Sequence, residues 1–148
     1  MIKKHHESFM MLLLYYALMN RNTFEKYVQE FCEDLALKDN FYAHRSRHAC
    51  VLTYENVIIS SGININLKND FTKKYNELKG IHAESLAIMR AIPKHHKILP
   101  YCELWVCRNN TYSHYSKPCP MCLKIIHSFG IRTIHYTMDN GKWTTMNV

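Results

Sequence analysis

Apolar positions follow a helical spacing in the first quarter of the chain. An unbroken apolar run covers residues 9–19, which predicts a helix that is either buried or faces a partner. Apolar residues then recur at helical spacing from Phe24 to Leu35, and Thr23 is the candidate N-cap of this second helix. The pattern therefore predicts two helices before any strand.

The rest of the chain alternates short β-rich runs with two helical stretches. Five runs predict strands, at 48–54, 57–62, 102–108, 133–138 and 143–148. Only Glu55-Asn56 separates the first two, and Asn140-Gly141 between the last two is typical of a two-residue hairpin turn. A helical stretch from His82 to Ile92 is expected to stop before Pro93, and another begins at Cys119.

Two short motifs at the starts of these helical stretches carry the candidate chemistry. They are His82-Ala83-Glu84 and Pro118-Cys119-Pro120-Met121-Cys122. Cysteines three residues apart on a first helical turn share a face and can bind one ion, and Pro120 suits the first helical position. His82, Cys119 and Cys122 then supply three metal ligands and leave one position for water, as catalytic zinc sites do. Glu84 is the candidate proton carrier.

The cysteines allow other interpretations. A single Cys-x-x-Cys is also typical of redox pairs and of structural zinc sites. Its occurrence after His-x-Glu favours a catalytic zinc site, with an inactive zinc-binding protein as the alternative. Cys32, Cys50, Cys102 and Cys107 lie in apolar contexts, so we expect them to be buried as small hydrophobic residues.

The order of the elements indicates which residues surround the metal. The strand ending near Gly62 precedes one ligand-bearing helix and the strand ending near Arg108 precedes the other. Both strand ends must therefore lie on the metal side, and the two strands run parallel. The first strand, paired with the second as a hairpin, starts on the same side, which places Arg45, Arg47 and His48 at the same edge as Asn64.

Length, charge and cysteine content limit the class of protein. A chain of 148 residues is typical of one domain. Six cysteines, two of them assigned to a metal, argue against a disulfide scaffold and predict an intracellular, cytoplasmic protein. The apolar run at 9–19 is too short to span a bilayer and lacks a small-x-small cleavage site. A net charge of +7 suits an anionic partner, either a nucleotide phosphate or a polynucleotide.

On its two motifs, the chain resembles the cytidine deaminase-like superfamily, in particular the cytidine and deoxycytidylate deaminase type. The resemblance covers residues 23–148 and leaves residues 1–22 as an apolar helical extension. Residues 47–52 are similar to the family's first strand, and Ser61-Gly62-Ile63-Asn64 is similar to the small-Gly-x-Asn segment that closes its second.

This resemblance implies the fold. It implies a three-layer α/β/α arrangement, built on a mixed five-stranded sheet in the order 2-1-3-4-5. The residues at 1–22 add an N-terminal helix to it. Asn140-Gly141 leaves no room for a helix between strands four and five, so we expect the fifth strand to be antiparallel.

The resemblance also implies a function. It implies a zinc-dependent hydrolase, with one Zn²⁺ per chain, that converts a cytosine nucleoside or nucleotide into its uracil counterpart and releases ammonia. Asn64 matches a residue that binds the substrate in relatives, and Ala83 and Pro118 within the motifs complete the expected substrate-binding set. Arg45 or Arg47 is the candidate contact for a 5′ phosphate.

Alternatives to this function stay open. One is a deaminase acting on a base within RNA or DNA, and another is a zinc-bound but inactive accessory protein. The expected partner is a small nucleoside or nucleotide, with nucleic acid as the alternative and no membrane. A homo-oligomer is also expected, with the helix at 9–19 as a candidate interface.

Two segments flank the expected cleft. Tyr112, His114 and Tyr115 precede Pro118, and they either stack on a base, line a lid or are simply packed. The polar segment 66–79 contains four lysines and is expected to form another wall of the cleft or a solvated loop.

Overall fold

The structure, a computed structural model, describes Met11, Leu14, Tyr15 and residues 18–38, 47–65, 80–110 and 112–148. Its elements, in chain order, are helix α1 (Arg21–Ala36), strands β1 (His48–Tyr54) and β2 (Val57–Ile63), helix α2 (Ala83–His95), a 3₁₀ helix (His96–Tyr101), strand β3 (Glu103–Arg108), helix α3 (Pro120–Ser128) and strands β4 (Thr133–Thr137) and β5 (Trp143–Asn147). The predicted elements are all present.

The five strands form one mixed sheet in the order β2-β1-β3-β4-β5. Strand β1 is antiparallel to both of its neighbours, β3 and β4 are parallel, and β4 and β5 are antiparallel. The predicted strand order and the antiparallel fifth strand are thereby confirmed. Because β2, β3 and β4 run in one direction, their C-terminal ends share one edge of the sheet, which we call the upper edge.

The sheet is covered by helices on both faces, as the three-layer prediction requires. Helices α2 and α3 pack on one face around Leu52, Leu104 and Ile134. Helix α1 packs on the other face against Val51 and Trp105. Successive side chains of a strand point to opposite faces, so the central strands β1 and β3 contribute to both cores. The four cysteines outside the metal motif are all buried, as expected.

The helix boundaries correct two sequence predictions. The N-cap of α1 is Asn20 and not Thr23, because the Asn20 side chain accepts a hydrogen bond from the Thr23 N–H at 3.0 Å. Helix α2 does not stop before Pro93 but continues to His95. Pro93 lies in the last turn of the helix, where its missing N–H removes a single hydrogen bond before the chain tightens into the 3₁₀ helix.

The turn between β4 and β5 is also longer than the predicted two-residue turn. The Gly141 N–H donates to the Met138 carbonyl at 2.8 Å, and the Met138 N–H donates to the Lys142 carbonyl at 2.8 Å. Met138 and Lys142 thus continue the pairing beyond the two strands, and residues 139–141 form the loop between them. Gly141 adopts a φ of +77°, which glycine reaches without steric cost.

An additional helix precedes α1, which confirms the predicted N-terminal helix. Met11, Leu14, Tyr15 and Leu18 are helical, and their spacing places them on one face. These four side chains are 56–84% exposed, so this face of the helix is not buried. Among the described residues, no helix has the length and apolar content to cross a bilayer. A partner-facing role remains a prediction.

A charged cluster joins α1 to the sheet at the edge opposite the upper edge. The Glu103 carboxylate lies 2.5 Å from Arg21 Nη2 and 2.6 Å from His135 Nε2. The His135 ring stacks on Trp105 with a centroid separation of 3.8 Å, and its Nδ1 lies 2.7 Å from Thr145 Oγ1. The hydrogen bond with His135, followed by that with Arg21, lowers the pKa of Glu103 from 4.5 to about 2.

We expect Glu103→Gln to lower the free energy of unfolding by about 2 kcal/mol at neutral pH, because the variant loses the interactions that depress the pKa of Glu103. Solvent at the half-exposed Arg21 weakens this ion pair, so the expected loss is smaller than the whole pKa shift implies. A carboxyl group whose pKa is depressed by folding stabilises the protein above its unfolded pKa, and this contribution is lost as the pH falls from about 4.5 to about 2. Urea unfolding of both proteins from pH 7 to pH 2 measures the difference.

The matched control for this experiment is Glu30→Gln, on the exposed face of α1. It should differ little from the wild type at any pH. A stability difference for Glu103→Gln that stays constant down to pH 2 would contradict the assigned cause.

Candidate metal centre and active site

The two ligand-bearing helices both begin at the upper edge. His82 is the N-cap of α2, and Cys119 is the N-cap of α3 with Pro120 as the first helical residue. The Cys119 sulfur accepts the Cys122 N–H at 3.5 Å, so the side chain that is a candidate ligand also caps the helix. Both helix starts thus converge on one point.

The three candidate ligand atoms lie close enough to bind one ion. His82 Nδ1 is 3.4 Å from Cys122 Sγ and 3.8 Å from Cys119 Sγ, and all three atoms lie within 4.8 Å of one another. Standard Zn–N and Zn–S bond lengths place nitrogen and sulfur ligands of a tetrahedral zinc about 3.6 Å apart. Within the described part of the chain, this group has three members, so these donors leave one tetrahedral position to other ligands.

The protonation of the two thiols differs because of their surroundings. The Cys122 thiol and then His82, as hydrogen-bonding partners, lower the pKa of Cys119 to about 3. The pKa of Cys122 is raised, first by Cys119 and then by burial and by the charge of Glu84. The two thiols thus share one proton between them, and a metal ion that binds both sulfurs as thiolates would release it.

The Glu84 carboxyl group lies in the first turn of α2, beside these ligands. Its residue is 5% exposed. Burial raises its pKa, while the charge of His82 acts in the opposite direction. A carboxyl group whose pKa is shifted towards neutrality can both accept and return a proton under physiological conditions.

Ser85 is a buried residue at this site that the sequence interpretation missed. Its Oγ has no hydrogen-bond partner among the described residues. Ser85 nevertheless lies close enough to Cys122 to lower the pKa of that thiol, so the two side chains are neighbours. A buried hydroxyl group without a partner is costly. A metal-bound, deprotonated Cys122 would accept its hydrogen, and the site therefore fits a metal ion in both its donors and its surroundings.

Asn64 is held directly against the start of α2. His82 makes no capping hydrogen bond of its own. Instead, Asn64 Oδ1 accepts the Ala83 N–H at 3.0 Å, and Asn64 Nδ2 lies 3.5 Å from His48 Nδ1. Two residues of the predicted substrate-binding set, Asn64 and Ala83, are thus brought together by a helix cap.

His48 lies at the upper edge, as predicted, and Arg108 lies beside it; neither belongs to the predicted substrate-binding set. They face each other in the pairing of β1 with β3. Burial, followed by the charge of Arg108, lowers the pKa of His48 to about 4. The predicted strand directions placed His48 and the strand end at Arg108 on this side, but they did not predict that the two residues face each other.

The structure places the remaining predicted residues as follows. Arg47 lies at the upper edge, where its carbonyl accepts the Asn109 N–H at 2.9 Å. Pro118 is buried next to Cys119. Arg45 lies outside the described residues, as does the segment 66–79.

The aromatic side chains of segment 109–117 are partly packed against the protein and partly exposed to solvent. Tyr115 lies edge-on against Tyr136 with a centroid separation of 6.1 Å, and Tyr112 is 85% exposed. His114 Nδ1 lies 3.2 Å from the Arg108 carbonyl oxygen. Packing thus accounts for part of this segment, whereas a stacking role for Tyr112 stays a prediction.

Comparison with known proteins identifies the family. The model of the cytidine and deoxycytidylate deaminase zinc-binding region matches residues 22–138, which include both motifs. The chain belongs to this family. No curated protein matched the chain.

Two solved deaminase structures are similar to this chain to different degrees. The dCMP deaminase from the cyanophage S-TIM5, in apo form, matches with a TM-score of 0.56 and 22% identity, covering 80% of this chain and 85% of the phage enzyme. The guanine deaminase from Bacillus subtilis matches with a TM-score of 0.41 and 26% identity, covering 74% of this chain and 58% of that enzyme. The first of these matches supports the deaminase fold.

Proposed function

We propose that the protein is a zinc-dependent hydrolase that deaminates a cytosine nucleoside or nucleotide to its uracil counterpart and releases ammonia. The observation that carries this proposal is the convergence of three metal donors with one buried carboxyl group that is outside the donor set. A structural zinc site would need a fourth protein ligand. The family's description, which names cytidine and deoxycytidylate deaminases, supports cytosine as the base.

The proposed chemistry assigns a role to each residue of the site. His82, Cys119 and Cys122 would hold the zinc ion, which when bound supplies a Lewis acid that makes water nucleophilic near neutral pH. Glu84 takes a proton from the attacking water and delivers it to N3 of the ring. The water oxygen forms a bond to C4, the bond from C4 to the exocyclic nitrogen breaks, and Glu84 passes the second proton to the departing ammonia.

The upper edge supplies candidates for holding the substrate. Asn64 and the backbone at Ala83 and Pro118 would line the base and sugar. Arg47, together with Arg45, would contact a 5′ phosphate if the substrate is a nucleotide, because a guanidinium group binds phosphate through paired hydrogen bonds.

We also propose an intracellular, cytoplasmic location, with the helix at 9–19 as an interface between copies of the chain.

The substrate is tested by following ammonia release from the zinc-loaded, full-length protein. Cytidine, deoxycytidine, their 5′ monophosphates, guanine and short single-stranded RNA and DNA are supplied separately. We expect release from a cytosine monomer, its loss after metal chelation and its return on addition of Zn²⁺.

The other outcomes discriminate between the alternatives. Turnover of guanine alone would reassign the base. Turnover of oligonucleotides alone, with a steep dependence on salt, would indicate a polynucleotide substrate. A protein that binds zinc but releases no ammonia from any of these compounds would contradict the proposed activity.

A further inference from the structure

The parallel strands β3 and β4 stop pairing before they reach their C-terminal ends at the upper edge. Their pairing extends to Val106 opposite Tyr136, although β3 continues to Arg108 and β4 to Thr137. The chain that leaves β3 returns to this gap before it reaches Cys119. There the Ser116 N–H donates to the Thr137 carbonyl at 2.9 Å.

The Ser116 side chain fills the gap with hydrogen bonds to both strands. Its hydroxyl donates to the Val106 carbonyl at 2.8 Å and accepts the Thr137 N–H at 2.8 Å. Thr137 Oγ1 lies 2.9 Å from Ser116 Oγ and donates to the His114 carbonyl. Ser116 and Thr137 are both 2% exposed, so water cannot replace these bonds without a rearrangement.

We propose that Ser116 is a positioning residue for the metal ligand Cys119. Two residues separate them, and one of these is the buried Pro118, whose ring restricts the backbone. Cys119, at the start of α3, must bind the same ion as His82, which lies at the start of α2. Because a metal site tolerates only about 0.5 Å of displacement in its ligands, anchoring Ser116 to the sheet sets the distance between these donors.

Removal of the hydroxyl group has a definite consequence. In Ser116→Ala, the buried Val106 carbonyl and Thr137 N–H each lose a partner, and the segment is free to shift away from the strands. Cys119 then approaches His82 and Cys122 in a wider range of positions. We therefore expect Ser116→Ala to weaken metal binding, although Ser116 contacts none of the metal donors in the hydrogen bonds described above.

This inference rests on the metal-binding part of the proposed function and not on the substrate. The test measures the dissociation constant for Zn²⁺ by competition with a chromophoric chelator. We expect Ser116→Ala to raise it about 10-fold, at the lower end of the range known for residues that orient metal ligands. In the Co²⁺-substituted protein, the thiolate-to-cobalt absorption should also shift in energy.

Three further variants separate positioning from general destabilisation. Thr137→Ser keeps the hydroxyl and should retain the wild-type affinity, whereas Thr137→Val should weaken binding as Ser116→Ala does. Ser113→Ala removes a hydroxyl of the same segment that donates to Asp139 at an exposed position, and it should leave affinity unchanged. Ile134→Val, in the core, should lower the melting temperature without affecting affinity.

The outcomes are distinct. If Ser116→Ala and Thr137→Val lower the melting temperature but bind Zn²⁺ as tightly as Ile134→Val does, Ser116 is only a structural residue and the inference fails while the proposed function stands. If the wild-type protein binds no Zn²⁺, both fail.

Discussion

Glu84→Gln is expected to lower the rate of ammonia release by about 10²–10⁴-fold, the usual contribution of general acid and base catalysis. Glutamine has nearly the shape of glutamate but cannot accept and return a proton. Glu84 is not one of the three metal donors, so the variant should still bind Zn²⁺, and its affinity should change far less than its rate. Stability should not fall, because a neutral amide replaces a buried ionisable group.

Steady-state rates with the best substrate, at equal zinc content per chain, measure this effect. The matched control is Glu103→Gln, at the opposite edge of the sheet, which should leave the rate unchanged below its melting temperature. Equal activity of Glu84→Gln and wild type would remove this carboxyl group from the mechanism. Loss of zinc together with activity would instead make Glu84 a ligand.

Gly62→Ala is expected to lower the free energy of unfolding by about 3 kcal/mol, at the upper end of the cost of overpacking a core. A Cβ atom at Gly62 would collide with the Ala83 carbonyl oxygen and would lie 2.8 Å from Ala87 N and 2.9 Å from Leu86 Cβ. Two of these atoms are backbone atoms of α2, so the helix must move as a unit. Glycine is needed here for close approach of β2 to the helix.

The same displacement should weaken metal binding, because Ala83 is adjacent to His82. The hydrogen bond from the Ala83 N–H to Asn64 would also be stretched. Thermal unfolding and the Zn²⁺ competition experiment report the two effects separately. Ser61→Ala is the control, because its side chain points to the opposite face of β2. A Gly62→Ala protein that matches this control in both measurements would refute the steric argument.

The small-Gly-x-Asn segment has a physical explanation in these contacts. Gly62 brings the end of β2 against the first turn of α2, and Asn64, two residues later, accepts an N–H that His82 leaves uncapped. His82 cannot cap its own helix while its ring faces the cysteines. The residues at 61–64 thus set the position of the first motif, in addition to their proposed contact with the substrate.

The sequence predicted the parts of the site that depend on local spacing. Cys119 and Cys122 share a helical turn, and Pro120 between them suits the first position of that helix. Strand alternation and turn composition were sufficient for the strands and the direction of β5. Local patterns were less accurate at boundaries, as the cap at Asn20 and the continuation past Pro93 show.

Ser85 and Ser116 were not predicted as parts of the site, and His48 was placed at the upper edge but given no partner there, for a common reason. The partners of His48 and Ser116 lie 16 or more residues away in the chain, Asn64 for the first and Thr137 for the second. Ser85 is next to a motif, but its burial beside Cys122 depends on how α2 packs against α3. No local pattern distinguishes these residues from surface serines and histidines.

The amino-acid sequence by itself determined which atoms are available for metal chemistry and in what order the elements follow, because ligand identity and periodicity are local properties. Only the tertiary structure decided how closely His82 approaches the two cysteines, that Asn64 caps α2, and that Ser116 fills the gap between β3 and β4. These features depend on the separation of backbones from different parts of the chain. That separation is set by the packing of the core, and at Gly62 the missing side chain allows β2 to lie close to α2.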